Sequence, residues 1–124
     1  MSTLRKKTLL VVDDEAMIRE ILVEVLVDAG AQVDEAENGT AALAKIRAKY
    51  YDAVISDIRM PGGNGLELMT RINQEITPRP KLFLCSGFTD VTAEAARDLG
   101  IVRIFSKPFT ADEIVEALSN ALTN

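Results

Sequence analysis

Acidic residues, a serine and a lysine follow short apolar runs in this sequence, and these residue types could do chemistry. The first run ends in Asp13-Asp14-Glu15, the third ends in Asp57 within VISDIRMPGGNG, the fourth ends in Ser86, and the last leads to Lys107. Aspartate is depleted in strands, and a buried carboxylate costs free energy unless a partner compensates it. Asp57 is therefore either a turn residue or the centre of a site.

The chemistry of such a set depends on whether the fold brings it together. Three clustered carboxylates repel one another and call for a divalent cation. With oxygen ligands alone, the hard cations Mg²⁺, Mn²⁺ and Ca²⁺ are favoured. Ca²⁺ usually takes roughly six to eight ligands, whereas Mg²⁺ accepts one or two carboxylates and is commonly completed by a phosphate. Because a lysine and a hydroxyl suit phosphate oxygens, the set fits a phosphoryl group beside Mg²⁺, with Mn²⁺ possible.

Five apolar runs alternate with five segments of helical period along the chain. The predicted strands are Leu9–Val12, Gln32–Ala36, Ala53–Ser56, Leu82–Cys85 and Val102–Phe105. The first predicted helix ends before Gly30 and carries apolar residues at helical spacing: Ile18, Ile21, Leu22, Val25, Leu26 and Ala29. The second covers Thr40–Lys49, and the third starts at an Asn64 cap. The fourth lies within Val91–Leu99, and the fifth starts at a Thr110–Glu113 capping box. Buried strands alternating with helices predict a parallel sheet covered on both faces.

This pattern predicts an α/β fold of the flavodoxin-like (βα)₅ type, a doubly wound five-stranded parallel sheet with strand order 2-1-3-4-5. In that order the first and third strands are neighbours at the topological switch point, where ligands bind outside the carboxyl ends of the strands. These are the strands that deliver Asp13, Asp14 and Asp57. One domain is expected over residues 1–124, with its core at about 8–122.

Composition excludes several classes of function. A net charge of −5 argues against a nucleic-acid or anionic-membrane surface. The absence of histidine excludes a His-ligated metal, imidazole catalysis and a phosphohistidine carrier, and the single Cys85 excludes a structural zinc site. No run has the length of a transmembrane helix or a signal-peptide core. We therefore expect a soluble, cytoplasmic protein.

Four segments, VVDDE, VISDIRMPGGNGLEL, LFLCSGF and IFSKPF, resemble in order and spacing the motif blocks of the receiver domain of two-component response regulators. The resemblance covers essentially the whole chain and is to the stand-alone, single-domain type. It implies that Asp57 accepts a phosphoryl group from a phosphohistidine on a sensor histidine kinase or histidine phosphotransfer protein. Such a chain is not a conventional enzyme, since it catalyses only its own phosphorylation and slow dephosphorylation.

The same resemblance implies a Mg²⁺ site. Asp14 and Asp57 would bind the ion directly and Asp13 would bind it through water. The backbone carbonyl of Arg59 would be a further ligand. Phosphoryl transfer depends mainly on positioning and charge neutralisation, and this arrangement would supply both.

The phosphoryl oxygens would be bound by two further residues. Ser86 would hydrogen-bond one oxygen and Lys107 would pair with another. Pro108 would follow a cis peptide bond that aims the lysine inward. Arg59 and Phe88, two residues beyond Asp57 and Ser86, would flank the entrance and modulate the lifetime of the aspartyl phosphate.

The sequence departs from the family pattern at the position three residues before Lys107. Receivers usually carry tyrosine or phenylalanine there, whereas this chain has Ile104, followed by Phe105. Isoleucine cannot make the aromatic rearrangement that links phosphorylation to the output surface. That surface would be the fourth helix, fifth strand and fifth helix, which would contact a downstream protein in a chain that is a monomer or weak dimer.

Three other functions compete with this one. A flavodoxin-like cofactor binder needs a phosphate cradle after its first strand, where Asp13-Asp14-Glu15 would repel an anion. A haloacid-dehalogenase-type phosphatase needs a second acid where Arg59 stands. The alternative that stays open is a receiver-fold binding module that works without phosphorylation. Ile104 favours that alternative, and the intact set of acids opposes it.

Overall fold

The computed structural model describes residues 4–58, 60, 64–86, 93–106 and 108–122, with the side chains of Ser86 and Ala93 excluded. In this part of the chain the strands are β1 (Thr8–Val12), β2 (Gln32–Ala36), β3 (Ala53–Asp57), β4 (Lys81–Ser86) and β5 (Ile101–Ser106). The helices are α1 (Ala16–Asp28), α2 (Gly39–Ala48), α3 (Gly65–Glu75), α4 (Ala93–Asp98) and α5 (Ala111–Leu122). None of the described helices is long and apolar enough to cross a membrane.

The strands form one parallel sheet in the order β2-β1-β3-β4-β5, which confirms the predicted topology. Val12 at the end of β1 is in register with Ser56 of β3, and Asp57 is in register with Cys85 of β4. The last residues of β1, β3 and β4 therefore lie side by side. We call this edge, where the strands end, the carboxyl edge of the sheet.

Two apolar layers cover the sheet, one on each face. On one face Leu10, Val12, Val54, Leu82 and Leu84 pack against α2, α3 and α4. On the other face Leu9, Val11, Ile55, Phe83, Cys85 and Phe105 pack against α1 and α5. Every residue of β3 is buried, which is the expected result for a central strand covered on both faces. The site residue at the end of β3 is thus carried by the most enclosed strand.

The helix ends follow the predicted capping signals. The side chain of Asn64 accepts a hydrogen bond from the Glu67 N–H at 2.9 Å. The Thr110 hydroxyl accepts from the Glu113 N–H at 3.2 Å, with the Glu113 carboxylate returning toward the Thr110 N–H at 3.4 Å, so the capping box is confirmed. Gly30, which follows the C-cap residue Ala29 of α1, adopts a φ of 103°. This is a backbone conformation that glycine adopts without strain.

Two details differ from the sequence prediction. Ile21, one of the apolar residues at helical spacing, is 58% exposed, because α1 has more apolar residues than its buried face needs. β3 includes Asp57, one residue beyond its predicted end. β4 and β5 are each one residue longer than predicted at both ends. As a result Asp57 is the last residue of a paired strand, and its backbone has the rigidity of the sheet.

Candidate functional site

Asp13 leaves β1 with its backbone and side chain both held. Its N–H donates to the carbonyl oxygen of Ala36 at 3.1 Å, which continues the pairing with β2. Its Oδ1 accepts a hydrogen bond from the Glu15 N–H at 2.9 Å, so the side chain turns back over the loop. The residue is only 3% exposed. Asp14 follows as an exposed residue, and the pair thus has one buried and one open carboxylate.

Asp57 is 8% exposed at the end of β3. Its Oδ1 accepts a hydrogen bond from the Ile58 N–H at 2.9 Å. The hydroxyl of the fully buried Ser56 donates to the Asp57 carbonyl oxygen at 2.8 Å. The carboxylate and the peptide of Asp57 are therefore both oriented by neighbours in the strand.

Gly65 at the start of α3 lets the chain return close to Asp57. Its N–H donates to the Ile58 carbonyl oxygen at 2.7 Å. A Cβ at this position would overlap the carbonyl oxygen of Asp57 and lie 3.0 Å from the Ile58 Cα. Backbone atoms cannot move aside as a flexible side chain can, so the close approach requires glycine. Gly65 is the last residue of the VISDIRMPGGNG segment, of which residues 59 and 61–63 lie outside the described part of the chain.

The three aspartates converge at the carboxyl edge. One carboxylate oxygen from each of Asp13, Asp14 and Asp57 can be chosen so that all three lie within 4.8 Å of one another. We call this group the acid site. All of its side-chain donors are carboxylate oxygens, the ligand type that hard divalent cations prefer. The site therefore fits such an ion, and a cation there would offset the repulsion among three carboxylates.

Several other predicted site residues fall outside the described part of the structure. Arg59, Phe88 and Lys107 are in that category, and so is the peptide bond between Lys107 and Pro108. Pro108 itself is exposed. Ser86 is the last residue of β4, in register with Ser106 of β5; its backbone is at the carboxyl edge, but its side chain is not described.

The two predicted switch positions on β5 differ in their surroundings. Ile104 is partly buried and packs on the core layer beneath α3 and α4. Phe105 is 1% exposed on the opposite face. Its ring stacks on Phe83 at 6.1 Å between centroids and lies 6.2 Å from the ring of Phe109. Phe105 is thus a core residue, and Ile104 is the one that reaches the surface beside α4.

The sequence analysis overlooked Arg19, which contacts the acid site's backbone. Its Nη1 donates to the Asp13 carbonyl oxygen at 2.7 Å, and its Nε donates to Glu35 Oε1 at 2.9 Å. The side chain is only 18% exposed. The available signal was an arginine within the first helical turns after Asp13-Asp14. Spacing alone did not show toward which side the guanidinium points.

Two other acids of the chain are surrounded by protein donors. Asp34 on β2 accepts from the Tyr51 hydroxyl at 2.6 Å and lies 3.0 Å from the Lys49 ammonium. The hydrogen bond from Tyr51, followed by that from Lys49, lowers the pKa of Asp34. Burial, followed by the bond to Asp34, raises the pKa of Tyr51. On α3, the hydrogen bond from Arg71 and then that from Arg47 lower the pKa of Glu75. These acids are structural partners within the chain.

A parallel five-stranded sheet with acids clustered at its switch point belongs to the doubly wound α/β class whose ligands bind at the carboxyl edge. The family model of the response regulator receiver domain matches residues 9–119. The chain therefore belongs to the family of response regulator receiver domains, as the sequence motifs predicted.

Curated relatives and solved structures agree with this assignment. The DNA-binding transcriptional regulator NtrC of Salmonella typhimurium is 35% identical over 114 residues, which are 92% of this chain and 24% of NtrC. The transcriptional regulatory protein FixJ of Bradyrhizobium diazoefficiens is 34% identical over 113 residues, 90% of this chain and 55% of FixJ. The chain thus spans between about a quarter and about half of the length of these relatives.

A solved structure of similar size also matches. The response regulator protein TrrA of Thermotoga maritima, crystallised in complex with Mg²⁺ and BeF, superposes with a TM-score of 0.84 and 37% identity. The match covers 94% of this chain and 99% of the TrrA chain. The fold is therefore that of a receiver domain along nearly its whole length.

Proposed function

We propose that Asp57 accepts a phosphoryl group from a phosphohistidine on a sensor histidine kinase or a histidine phosphotransfer protein. The observation that supports this most strongly is the acid site, in which Asp57 lies with Asp13 and Asp14 within 4.8 Å at the ends of β1 and β3. An oxygen of the Asp57 carboxylate attacks the phosphorus, an O–P bond forms, and the P–N bond to the donor imidazole breaks. The imidazole leaves with the electron pair of that bond and takes a proton. The product is an aspartyl phosphate.

Mg²⁺ is the proposed ion, with Mn²⁺ a possible substitute. Asp14 and Asp57 would hold it directly, Asp13 through water, and the Arg59 carbonyl would complete the protein ligands. When bound, the ion would neutralise negative charge on the carboxylates and the phosphoryl oxygens. The chain's own contribution is to orient the nucleophile: the Ile58 N–H holds Asp57 Oδ1, and Ser56 holds the Asp57 carbonyl.

The remaining residues of the proposed site act on the phosphoryl group after it arrives. Ser86 would donate to one oxygen and Lys107 would pair with another, with Pro108 directing the lysine. Arg59 and Phe88 would shield the aspartyl phosphate from water and so set its lifetime. The backbone of Ser86 lies at the carboxyl edge, as does the backbone of Asp57, and this supports its role.

The proposed output is a protein contact that depends on phosphorylation. The surface of α4, β5 and α5 would bind a downstream protein, in a cytoplasmic regulator that is a monomer or weak dimer and contacts neither nucleic acid nor membrane directly. Ile104 lies on this surface, partly buried. Whether the chain acts as a single domain stays a prediction, because its curated relatives are longer.

A second function has one specific observation in its favour. Phe105 is buried in the core, where its ring stacks on Phe83. Ile104 has no aromatic ring that could make the rearrangement usual in receivers. A receiver fold that binds its partner without phosphorylation would need neither movement. The acid site opposes this alternative, because clustered carboxylates are costly to keep without a bound cation.

The test of the proposal is the intact mass of the protein after incubation with Mg²⁺ and a small phosphoryl donor. Acetyl phosphate and phosphoramidate are both used, since phosphoramidate has the P–N bond of phosphohistidine. One phosphoryl adduct on the wild type and none on Asp57→Asn is the expected result. Asp34→Asn is the matched control and should keep the adduct. Mg²⁺ binding without any adduct from either donor would contradict phosphorylation and favour the second function.

A further inference from the structure

The Asp13 carbonyl is a point where a side chain outside the acid site controls its backbone. Asp13 is held by three described hydrogen bonds: its N–H by Ala36, its Oδ1 by the Glu15 N–H and its carbonyl by Arg19. In the first two of these bonds, the partner of Asp13 is a backbone group, which a substitution of the partner's side chain leaves in place. Of these three bonds, the one from Arg19 is removed by a side-chain change outside Asp13.

The bond to this carbonyl also constrains the next residue. The carbonyl of Asp13 and the N–H of Asp14 belong to one planar peptide unit. A guanidinium 2.7 Å from the carbonyl oxygen fixes the direction of that plane. The plane sets the direction from which the exposed Asp14 carboxylate projects.

Glu35 fixes the other edge of the guanidinium. Its Oε1 lies 2.9 Å from Arg19 Nε, and Glu35 is in register with Val11 inside the β1–β2 pair. Its own carbonyl accepts a hydrogen bond from the Lys45 ammonium at 2.6 Å. The planar fork of arginine can donate in two directions at once, which a lysine cannot do in the same geometry. Arg19 therefore clamps the loop after β1 against β2.

We propose that Arg19 is a positioning residue for divalent-cation binding at the acid site: by holding the Asp13 carbonyl, it fixes the peptide plane that presents the Asp14 carboxylate. This inference rests on the proposed function only in taking the acid site as a cation site. The positive charge of Arg19 would by itself oppose a cation. Glu35 offsets that charge at 2.9 Å, so orientation is the dominant effect.

The experiment is a Mg²⁺ titration of nitrogen-15-labelled protein, followed by the backbone amide shifts of Asp14, Glu15 and Ile58. It is run on the wild type, Arg19→Ala, Arg19→Lys and Asp14→Asn, at a temperature well below unfolding. Arg47→Ala is the matched control, because Arg47 also pairs with a glutamate on another element, Glu75. Thermal unfolding of each variant is measured separately to show that the titrated protein is folded.

Arg19→Ala is expected to weaken Mg²⁺ binding about tenfold, the usual size of an effect on a group that orients a ligand. Arg19→Lys should fall between Arg19→Ala and the wild type, and Arg47→Ala should match the wild type. Hydrogen exchange at the Asp14 amide should become faster in Arg19→Ala. A purely structural role would lower the unfolding temperature without changing the affinity of the folded protein for Mg²⁺.

Glu35→Gln separates the effect of the Arg19 charge from the effect of the peptide orientation. It also tests the inference if Arg19→Ala does not fold. It leaves the Arg19 charge less compensated, so binding should weaken at low salt and recover toward the wild type at high salt. The loss in Arg19→Ala should persist at high salt. Wild-type affinity in folded Arg19→Ala, or equal affinities for the lysine and alanine variants, would overturn the inference. If Asp14→Asn binds Mg²⁺ as the wild type does, the acid site itself is not the cation site and the proposed function fails first.

Discussion

Asp34 and the three aspartates of the acid site have different surroundings. Asp34 is contacted by a tyrosine hydroxyl and a lysine ammonium, and these donors lower its pKa. In the acid site, two carboxylates from the loop after β1 and one from the end of β3 approach one another within 4.8 Å. The donors around Asp34 stabilise the charged form and so stabilise the fold. The acid site concentrates like charges, which costs stability and is useful only when a cation binds. This is the difference expected between an acid that stabilises the fold and an acid that binds a cation.

The backbone beneath the acid site is the part whose disruption should have the largest effect. In Gly65→Ala the added Cβ would overlap the carbonyl oxygen of Asp57, and we expect a loss of about 2–3 kcal/mol in the free energy of unfolding. Because Asp57 must move, Mg²⁺ binding should weaken as well. Denaturant unfolding and the amide titration measure the two effects.

Gly100→Ala is the control for that substitution. Gly100 has a φ of 72° and its neighbour is the flexible Arg79 side chain, so we expect a loss of about 1 kcal/mol from backbone strain. Mg²⁺ binding should be unchanged, since Gly100 follows α4 at the opposite edge of the sheet. Equal losses of Mg²⁺ affinity in both variants would show that the close approach of Gly65 to Asp57 is not specific to the site.

The cation affinity of the acid site should depend strongly on Asp14. A carboxylate about 4 Å from a divalent ion contributes about 2 kcal/mol even at the dielectric constant of water, or about thirtyfold in affinity. We expect Asp14→Asn to weaken Mg²⁺ binding by at least that factor, and Asp34→Asn to leave it unchanged. Calorimetric titration of both variants checks this. An equal effect of the two substitutions would remove the distinction between the two groups of acids.

The same two variants should change stability in opposite directions when divalent ions are chelated. Asp34→Asn loses an ion pair and a charge-assisted hydrogen bond, a loss of about 1 kcal/mol for a partly exposed group. Asp14→Asn relieves repulsion and should stabilise the fold by about 0.5 kcal/mol. Urea unfolding in chelator is the measurement. Destabilisation by Asp14→Asn under these conditions would mean that Asp14 is held by the protein itself.

Tyr51→Phe should have a small effect on stability that depends on pH. The folded-state pKa of Asp34 lies below the unfolded one, so its carboxylate contributes stability above the unfolded pKa and loses that contribution as the pH falls through the folded pKa. We expect Tyr51→Phe to cost about 1 kcal/mol at neutral pH. The difference from the wild type should shrink below about pH 4. A difference that is constant from neutral pH to pH 3 would show that packing, and not the charged hydrogen bond, is responsible.

The fold was predictable from the sequence because its signals are local and consistent. Apolar runs such as Leu9–Val12 alternate with helical periods, and Asn64 and Thr110 cap the helices as predicted. Asp13, Asp14 and Asp57 could be placed together because parallel strands end at one edge. The first prediction uses patterns within a few residues along the chain, and the second adds the strand order of the fold class.

The contacts that the sequence did not predict depend on three-dimensional direction. The guanidinium of Arg19 reaches Asp13 in the loop after β1 and Glu35 on β2, and nothing in the helical period specifies this. The hydrogen bond between Asp34 and Tyr51 joins residues 17 positions apart. Ile21 is one of the apolar residues at helical spacing in α1, yet it is 58% exposed, since periodicity gives the face of a helix but not its width.

The most direct test of the central claim is to locate the phosphoryl group within the chain. After incubation with Mg²⁺ and phosphoramidate or acetyl phosphate, borohydride reduction converts an aspartyl phosphate to homoserine, and fragmentation of the peptide gives its position. We predict homoserine at position 57 alone, and none when Mg²⁺ is chelated before the donor is added. Homoserine at Asp13, Asp14 or Asp34, or none with either donor in the presence of Mg²⁺, would contradict the assignment of Asp57 as the phosphoryl acceptor.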